Sequence, residues 1–384
     1  MLDGDPLEET NGGLMQTNSM IIPKSAMNTL KREKKLESTL NSESLISAGI
    51  MTANTPSYIM GDPIDYPKVM TQSEDLIVGG NAVISFGYGS LQGRPAPGAP
   101  QSKPNQDSLT VFNHIGSRAV FGIFDGHGPY GEYAAHFIRD NLHHQLEEVY
   151  KELGDEANPN DAIRIAMLNI HEAFIAINPS KPGDVDPDVS GAVVVIAMVE
   201  NNNLYVANVG DSRCILGSQG TNDRAFKVHV MSDDHKPENV TEQERVLLSS
   251  AVLLSESELR GGKKKDGKTY VCRRNDKGQI VYGVMFTRSI GDKDAHVNLG
   301  VSADTEVKQR CLQEDKVEYL VLASDGVWDQ MSNEEVLNVV FKHKDPLKSA
   351  NKIIELARNR WDTDKLHTRR DDISVIVARL LCNE

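Results

Sequence analysis

Four stretches of this chain carry an apolar run into or out of an aspartate, and that pairing constrains the fold more than any other feature. Val120–Phe124 runs into Asp125, Leu204–Gly210 into Asp211 and Tyr319–Ser324 into Asp325; in the reverse sense, Asp371 leads into Ile373–Leu380. Runs of this length rich in Val, Ile, Leu and Tyr read as buried strands. A carboxylate at the tip of a buried strand is costly unless something positive satisfies it. Several such aspartates brought together make an all-oxygen cage suited to a hard divalent cation. The first lies in Asp125-Gly126-His127-Gly128, which sets an acid–base group two residues from a candidate ligand. The pattern points to metal-assisted hydrolysis.

Bulk properties narrow the classes. At 384 residues the chain is long enough for one large domain or two modest ones, and 39% hydrophobic with 25% charged residues is a globular balance. A net charge of -14 argues against nucleic acid, which rewards basic surfaces. Cys214, Cys272, Cys311 and Cys382 are widely spaced and form no CxxC pair, so neither a disulfide framework nor a zinc knuckle is indicated. No apolar stretch reaches the ~18–20 residues of a membrane helix, and no signal-peptide core opens the chain. Residue 2 is Leu, so N-myristoylation is not indicated. A reducing, cytoplasmic setting is expected, with the nucleus as a second compartment.

Residues 1–78 are polar and rich in Ser, Thr, Asn, Met and Lys, and read as a flexible extension. Within it Ala26–Ile50, with Leu30, Leu36, Leu40 and Leu45, is a candidate docked helix. Residues 79–384 read as globular. Strands are predicted at Asn81–Tyr88, Ser108–Asn113 and Arg118–Phe124. Helical stripes follow at Ala134, Ile138, Leu142, Leu146, Val149 and Leu153, then at Ala162, Ala166, Ile170, Ala173 and Ile177. More strands are predicted at Gly191–Val199, Leu204–Val209, Ser212–Leu216 and Phe226–Val230, and a helix at Glu242–Leu248. Ser255–Gly278 reads as a mobile insert. The chain closes with a strand at Val317–Ala323, helices at Asn333–Phe341 and Leu347–Trp361, and a strand at Asp372–Leu380. Blocks of strands without regular strand–helix alternation predict an α+β fold of mostly antiparallel sheets with helices outside.

The candidate ligands Asp107, Asp125, Asp325 and Asp371 offer only oxygen, with no Cys or second His at ligand spacing, which suits Mg²⁺ or Mn²⁺ better than zinc. Without a side chain, Gly126 lets its backbone carbonyl approach a cation. A lone Asp-Gly is more often a turn, and a lone His more often a loop hydrogen-bonder; here position in the tetrapeptide favours His127 as a general acid. Other motifs fall away. Asp184-Val185-Asp186-Pro187-Asp188 lacks the Gly and terminal Glu of a calcium loop, Asn239-Val240-Thr241 is a sequon in letters only, and there is no GxSxG elbow. The run Lys263-Lys264-Lys265 reads as a solvated insert.

Taken together, the motifs resemble the metal-dependent Ser/Thr protein phosphatases of type 2C. The matching pieces are Lys103-Pro104-Asn105-Gln106-Asp107, Phe121–Gly128, Val209-Gly210-Asp211-Ser212-Arg213, Asp234-His235-Lys236-Pro237, Arg288-Ser289-Ile290-Gly291-Asp292, Ala323–Asp329 and Asp371-Asp372-Ile373-Ser374-Val375. They cover roughly residues 80–384 in the family's order. The resemblance implies an αββα sandwich: two mostly antiparallel β-sheets packed face to face and flanked by α-helices. It also implies two Mg²⁺ or Mn²⁺ ions, with Asp125 bridging, Asp325 and Asp371 completing one ion, and the Gly126 carbonyl and Asp107 serving the other. A water of lowered pKa between the ions would attack phosphorus while His127 protonates the departing Ser or Thr oxygen, with no phosphoenzyme. Lys103 would contact phosphate, Asp211 and Asp329 would hold a weaker third ion beside Asp325, and residues 255–283 would form a flap.

Three departures stand out: Gln106 where many members have Glu, Gly191-Ala192-Val193 without the usual Ser-Thr, and Leu247-Leu248-Ser249-Ser250-Ala251 without a glycine pair. An inert phosphoprotein-binding relative is disfavoured because every core aspartate is retained. A phosphatase of small metabolites would want a tight basic pocket, against the long insert. The expected partners are phosphorylated proteins, with no nucleic acid and no membrane insertion, and the chain is expected to be a monomer.

Overall fold

A computed structural model of the chain describes residues 70–78, 82–95, 104–115, 118–181, 183–219, 226–262, 265, 267–312, 317–363 and 369–382. All of these belong to one unit, Tyr58–Glu384. The candidate helix Ala26–Ile50 and the phosphate-contact candidate Lys103 lie outside the described residues.

The first block holds β1 (Met70–Val78), β2 (Ala82–Leu91), β3 (Asp107–Ile115) and β4 (Arg118–His127), then α1 (Gly131–Leu153) and α2 (Pro159–Ile175). Strands β5 (Gly191–Glu200), β6 (Asn203–Val209), β7 (Arg213–Gln219) and β8 (Phe226–Val230) follow in succession. A smaller block contains α3 (Val240–Leu247), β9 (Val252–Ser255), α4 (Glu256–Leu259), β10 (Thr269–Arg274), β11 (Ile280–Val284), β12 (Ile290–Gly291) and α5 (Lys293–Leu299). The chain closes with β13 (Glu306–Cys311), β14 (Val317–Ala323), α6 (Asp325–Trp328), α7 (Asn333–His343), α8 (Pro346–Thr363) and β15 (Ile373–Cys382). Local chemistry sets several ends. Asn158 caps α2 by accepting from Asn160 N, with Pro159 at the first helical position. Ser332 and Glu335 close a capping box on α7.

Two large sheets run β1-β2-β15-β14-β7-β8 and β13-β6-β5-β4-β3, with β12 added beside β5. Every pairing between these strands is antiparallel. The two-residue period of a strand splits each apolar run between two cores. On β4, Phe121 and Ile123 face the inter-sheet core with Val195, Leu216, Leu322 and Ile376. Their neighbours Val120 and Phe124 pack instead against Ile138, Leu142, Ile163 and Ile170 of α1 and α2. On the far side, Val321, Val375 and Val377 pack against Leu337, Ile353 and Trp361 of α7 and α8. Burial on both faces explains why these strands read as unbroken apolar runs. The expected αββα sandwich is the observed one.

Three segments differ from the sequence reading. Strand β1 lies inside the stretch read as an extension, so the sheet begins before residue 79. The stretch read as a mobile insert carries strands that the sequence reading did not assign: β11-β10-β9 form a separate three-stranded antiparallel sheet over a small core of Val246, Val271, Val284, Phe286 and Leu299. Strand β13, mostly polar as Glu-Val-Lys-Gln-Arg-Cys, pairs along β6 at the sheet edge, where apolar periodicity gives little signal. Among the described residues no helix is long and apolar enough to cross a membrane.

Candidate active site

Strand register gathers the aspartates. Asp107 of β3 stands opposite Asp125 of β4. At the end of β14, Ala323 pairs with Arg213 of β7 on one side and Val375 of β15 on the other. Asp325, Asp211 and Asp371, each just beyond those pairs, therefore emerge at one end of that sheet. Burial drives the Asp125 carboxyl well above its usual range, and the charges of Asp107, Asp325, Asp371 and Asp211 push it further. Asp325 is raised by burial and by Asp329, Asp371 and Asp211, with Lys236 opposing. Mutual repulsion of this kind identifies carboxylates that share one region.

Each member is braced. Asp107 Oδ2 accepts from Ser324 Oγ at 2.8 Å, and Ser374 N donates to the same hydroxyl at 3.0 Å, which ties β3 to the end of β14 and to β15. Among the described residues Asp107 Oδ1 is buried with no hydrogen-bond partner. Burial and the neighbouring Asp372 raise this carboxyl to about 7 despite the hydroxyl donors. Of the Asp371–Asp372 pair, Asp372 is the brace: its oxygens accept from Gly93 N at 2.6 Å and Gln106 N at 3.0 Å. Gly126 N donates to Gln106 O at 3.0 Å, and a Cβ at 126 would lie 2.1 Å from Gly131 O, so only glycine fits there. Gln106 turns its amide away, donating to Gly128 O at 2.9 Å and Glu132 Oε2 at 3.2 Å.

The histidine has a partner that sequence reading missed. His127 Nε2 lies 2.6 Å from Asp292 Oδ2, and its ring packs against Phe286 with centroids 4.3 Å apart. Asp292 is 1% exposed and sits at φ 50°, a left-handed conformation that Asn and Asp tolerate better than most residues. Its position in Arg288-Ser289-Ile290-Gly291-Asp292 was the available signal; nothing in that string reveals which residue it meets.

At the remaining corner the carboxylates are engaged by protein cations. Lys236 Nζ lies 3.3 Å from Asp211 Oδ2 and 3.8 Å from Asp329 Oδ1. Lys268 Nζ lies 2.6 Å from Asp329 Oδ2. Arg213 grips Asp234 with two bonds of 2.8 and 2.7 Å while its guanidinium lies over Trp328. His235 Nδ1 accepts from Gly210 N at 3.0 Å, bracing the turn that presents Asp211. The Asp234-His235-Lys236 motif thus supports Asp211 and its turn.

The donor set of Asp107, Asp125, Asp325 and Asp371 is oxygen only and carries an unpartnered buried oxygen, both of which fit a hard cation. Among the described residues, however, no three His, Cys, Asp or Glu side chains form a ready-made ion-binding group. The pair Asp211 and Asp329 fits a cation poorly, because lysines already neutralise it.

The protein phosphatase 2C family model matches residues 101–366. "Probable protein phosphatase 2C 64" of Oryza sativa subsp. japonica is 30% identical over 289 residues, 72% of this chain but 62% of that relative's length, so the chain spans just under two thirds of it. "Probable protein phosphatase 2C 72" of Arabidopsis thaliana is 30% identical over 288 residues, covering 71% of this chain and 80% of the relative. A solved serine-threonine phosphatase 2C from Toxoplasma gondii shares the fold with a TM-score of 0.61 at 18% identity, covering 81% of this chain and 99% of that one. The matched span contains Asp107 and Asp125 on their strands and Asp325 at the start of α6, and on that footing the chain belongs to the protein phosphatase 2C family.

Proposed function

We propose that this protein is a Mg²⁺- or Mn²⁺-dependent phosphatase of phosphoserine and phosphothreonine in proteins. The observation that carries the reading is that Asp107 stands opposite Asp125 and accepts a hydrogen bond from Ser324, the residue before Asp325, which brings carboxylates of both sheets together. Asp107, Asp125, Asp325 and Asp371, with the Gly126 carbonyl, are the proposed holders of two ions. When bound, such ions supply charge neutralisation at the phosphoryl oxygens and an activated water. The rest falls to the chain. His127 donates a proton to the Ser or Thr oxygen as it leaves, and Asp292 fixes which ring nitrogen remains for that oxygen. With Nε2 bound to the Asp292 carboxylate at 2.6 Å, Nδ1 is the nitrogen left for substrate. Lys103 is the proposed phosphate contact. No side chain need form a covalent phosphoenzyme.

The test is hydrolysis of a phosphothreonine peptide with Mn²⁺, with Mg²⁺ and with EDTA, beside Asp325→Asn. Turnover that requires metal and drops by ~10³-fold or more in the variant is expected. Folded protein with no turnover in either metal would defeat the reading in favour of an inert binding module.

A further inference from the structure

Among the described residues, the cation nearest Asp329 comes from the segment expected to form the flap. Lys268 immediately precedes β10 of the separate small sheet, and its ammonium reaches Asp329 Oδ2 at 2.6 Å. Thr269 N, the next donor along, bonds Glu238 Oε1 at 2.9 Å, and Lys268 O accepts from Glu256 N at 2.8 Å. The flap is thus pinned beside Asp329 at the base of its middle strand. Asp329 is itself fixed, its N–H donating to Asp325 O at 2.8 Å one helical turn back. Around this point Asp211, Asp234 and Asp329 are paired with Lys236, Arg213 and Lys268 respectively. A divalent ion between Asp211 and Asp329 would have to expel the Lys268 ammonium and sit against that of Lys236, only 3.3 Å from Asp211.

We propose that Lys268, at Asp329, completes with Lys236, at Asp211, a built-in pair of cations that takes the place of a third metal ion, and that Lys268 ties the flap to the metal centre. The proposal rests on the metal-phosphatase reading and adds to it a mechanical consequence. Asp329, which a soluble ion would otherwise hold, is held by a residue of the flap, so flap position and occupancy of that corner are linked reciprocally.

Mn²⁺ titration of the intact chain, followed by calorimetry and by the electron paramagnetic resonance signal of free Mn²⁺, counts the ions without reference to turnover. Wild type and Lys268→Arg should bind two. Lys268→Gln should bind one more, weakly, and amide exchange of Tyr270–Cys272 without added metal should quicken by roughly fivefold, as expected for loss of one partly exposed ion pair. Three ions in wild type, or an unchanged count and exchange rate in Lys268→Gln, would overturn the proposal while leaving the phosphatase reading intact. No Mn²⁺ binding in any of the three proteins would sink that reading and the proposal with it.

Discussion

Asp292 Oδ2 and His127 Nε2 stand 2.6 Å apart, linking the turn after β12 to the end of β4 across 165 residues of sequence. The contact joins the proposed general acid to a carboxylate buried beneath it. Asp292→Asn keeps the shape and tolerates the left-handed φ of 50° but replaces the acceptor with an amide. We expect kcat on a phosphothreonine peptide to fall by ~10²-fold, KM to change by less than about threefold, and Mn²⁺ binding to persist. Steady-state kinetics beside a Mn²⁺ titration separates these; an unaltered kcat would show that His127 does not depend on this contact.

Gly191 makes that approach feasible. A Cβ there would lie 2.2 Å from Asp292 Oδ2 and 2.4 Å from Ile290 O. Gly191→Ala should therefore push Asp292 off His127, reproducing the kcat loss of Asp292→Asn and lowering stability by ~1–3 kcal/mol through overpacking. Thermal melts and the same peptide assay test the pair, and wild-type values in both would refute the steric account.

Asp107, raised to about 7 by burial and by Asp372, ties the cluster to pH. In the fold it keeps a proton that the unfolded chain releases near pH 4, so its contribution to stability falls as pH rises from about 4 to 7. His171, pressed down to about 3 by burial and by His296, acts in the opposite sense as pH drops, so the wild type alone is a poor reporter. In EDTA, Asp107→Asn should be more stable than wild type at pH 8, with the advantage shrinking by pH 5. A cation must displace this proton together with those that Asp125 and Asp325 retain, so Mn²⁺ affinity should weaken by at least about tenfold per pH unit below 7. A stability difference that does not vary with pH would remove Asp107 from the account.

The sandwich was legible because its strands are buried on both faces. Val120–Phe124 and Tyr319–Ala323 show their apolar character in every residue, and each aspartate at a strand tip interrupts it visibly. Amphipathic spacing likewise placed α1, α2 and α8. The insert strands β9, β10 and β11 were not legible, since Thr-Tyr-Val-Cys-Arg-Arg and Ile-Val-Tyr-Gly-Val cover only a small core and sit among Lys and Gly. At the site, Asp125 and Asp325 announce themselves in Asp-Gly pairs. Asp292, Lys236 and Lys268 do not, because their roles come from long-range contacts: Lys268 meets Asp329 at a separation of 61 residues. Ion pairs that close through space leave no period in a sequence.

Glu242 shows how the frame behind the site is held. Its carboxylate on α3 accepts from Arg288 NH2 at 2.6 Å, from Thr287 Oγ1 at 2.7 Å and from Arg245 NH2 at 2.7 Å. These bonds staple the segment that leads through β12 into Asp292. Burial alone would raise this carboxyl, but the donors from Arg288, Thr287 and Arg245 together outweigh it and hold it at about 2. A carboxyl depressed in the fold contributes its full stability above its unfolded value near 4.5 and loses it as pH falls toward 2. Glu242→Gln should therefore cost ~3 kcal/mol at pH 7, and the two proteins should converge as pH drops from about 4.5 toward 2. The neutral amide also leaves two guanidinium groups without their counter-charge, so Asp292 should lose its fixed seat and kcat should fall alongside stability. Urea unfolding of both proteins between pH 7 and 3 checks the first point and peptide kinetics the second. A stability gap that stays constant down to pH 3 would mean that the Glu242 carboxylate is not what holds this segment.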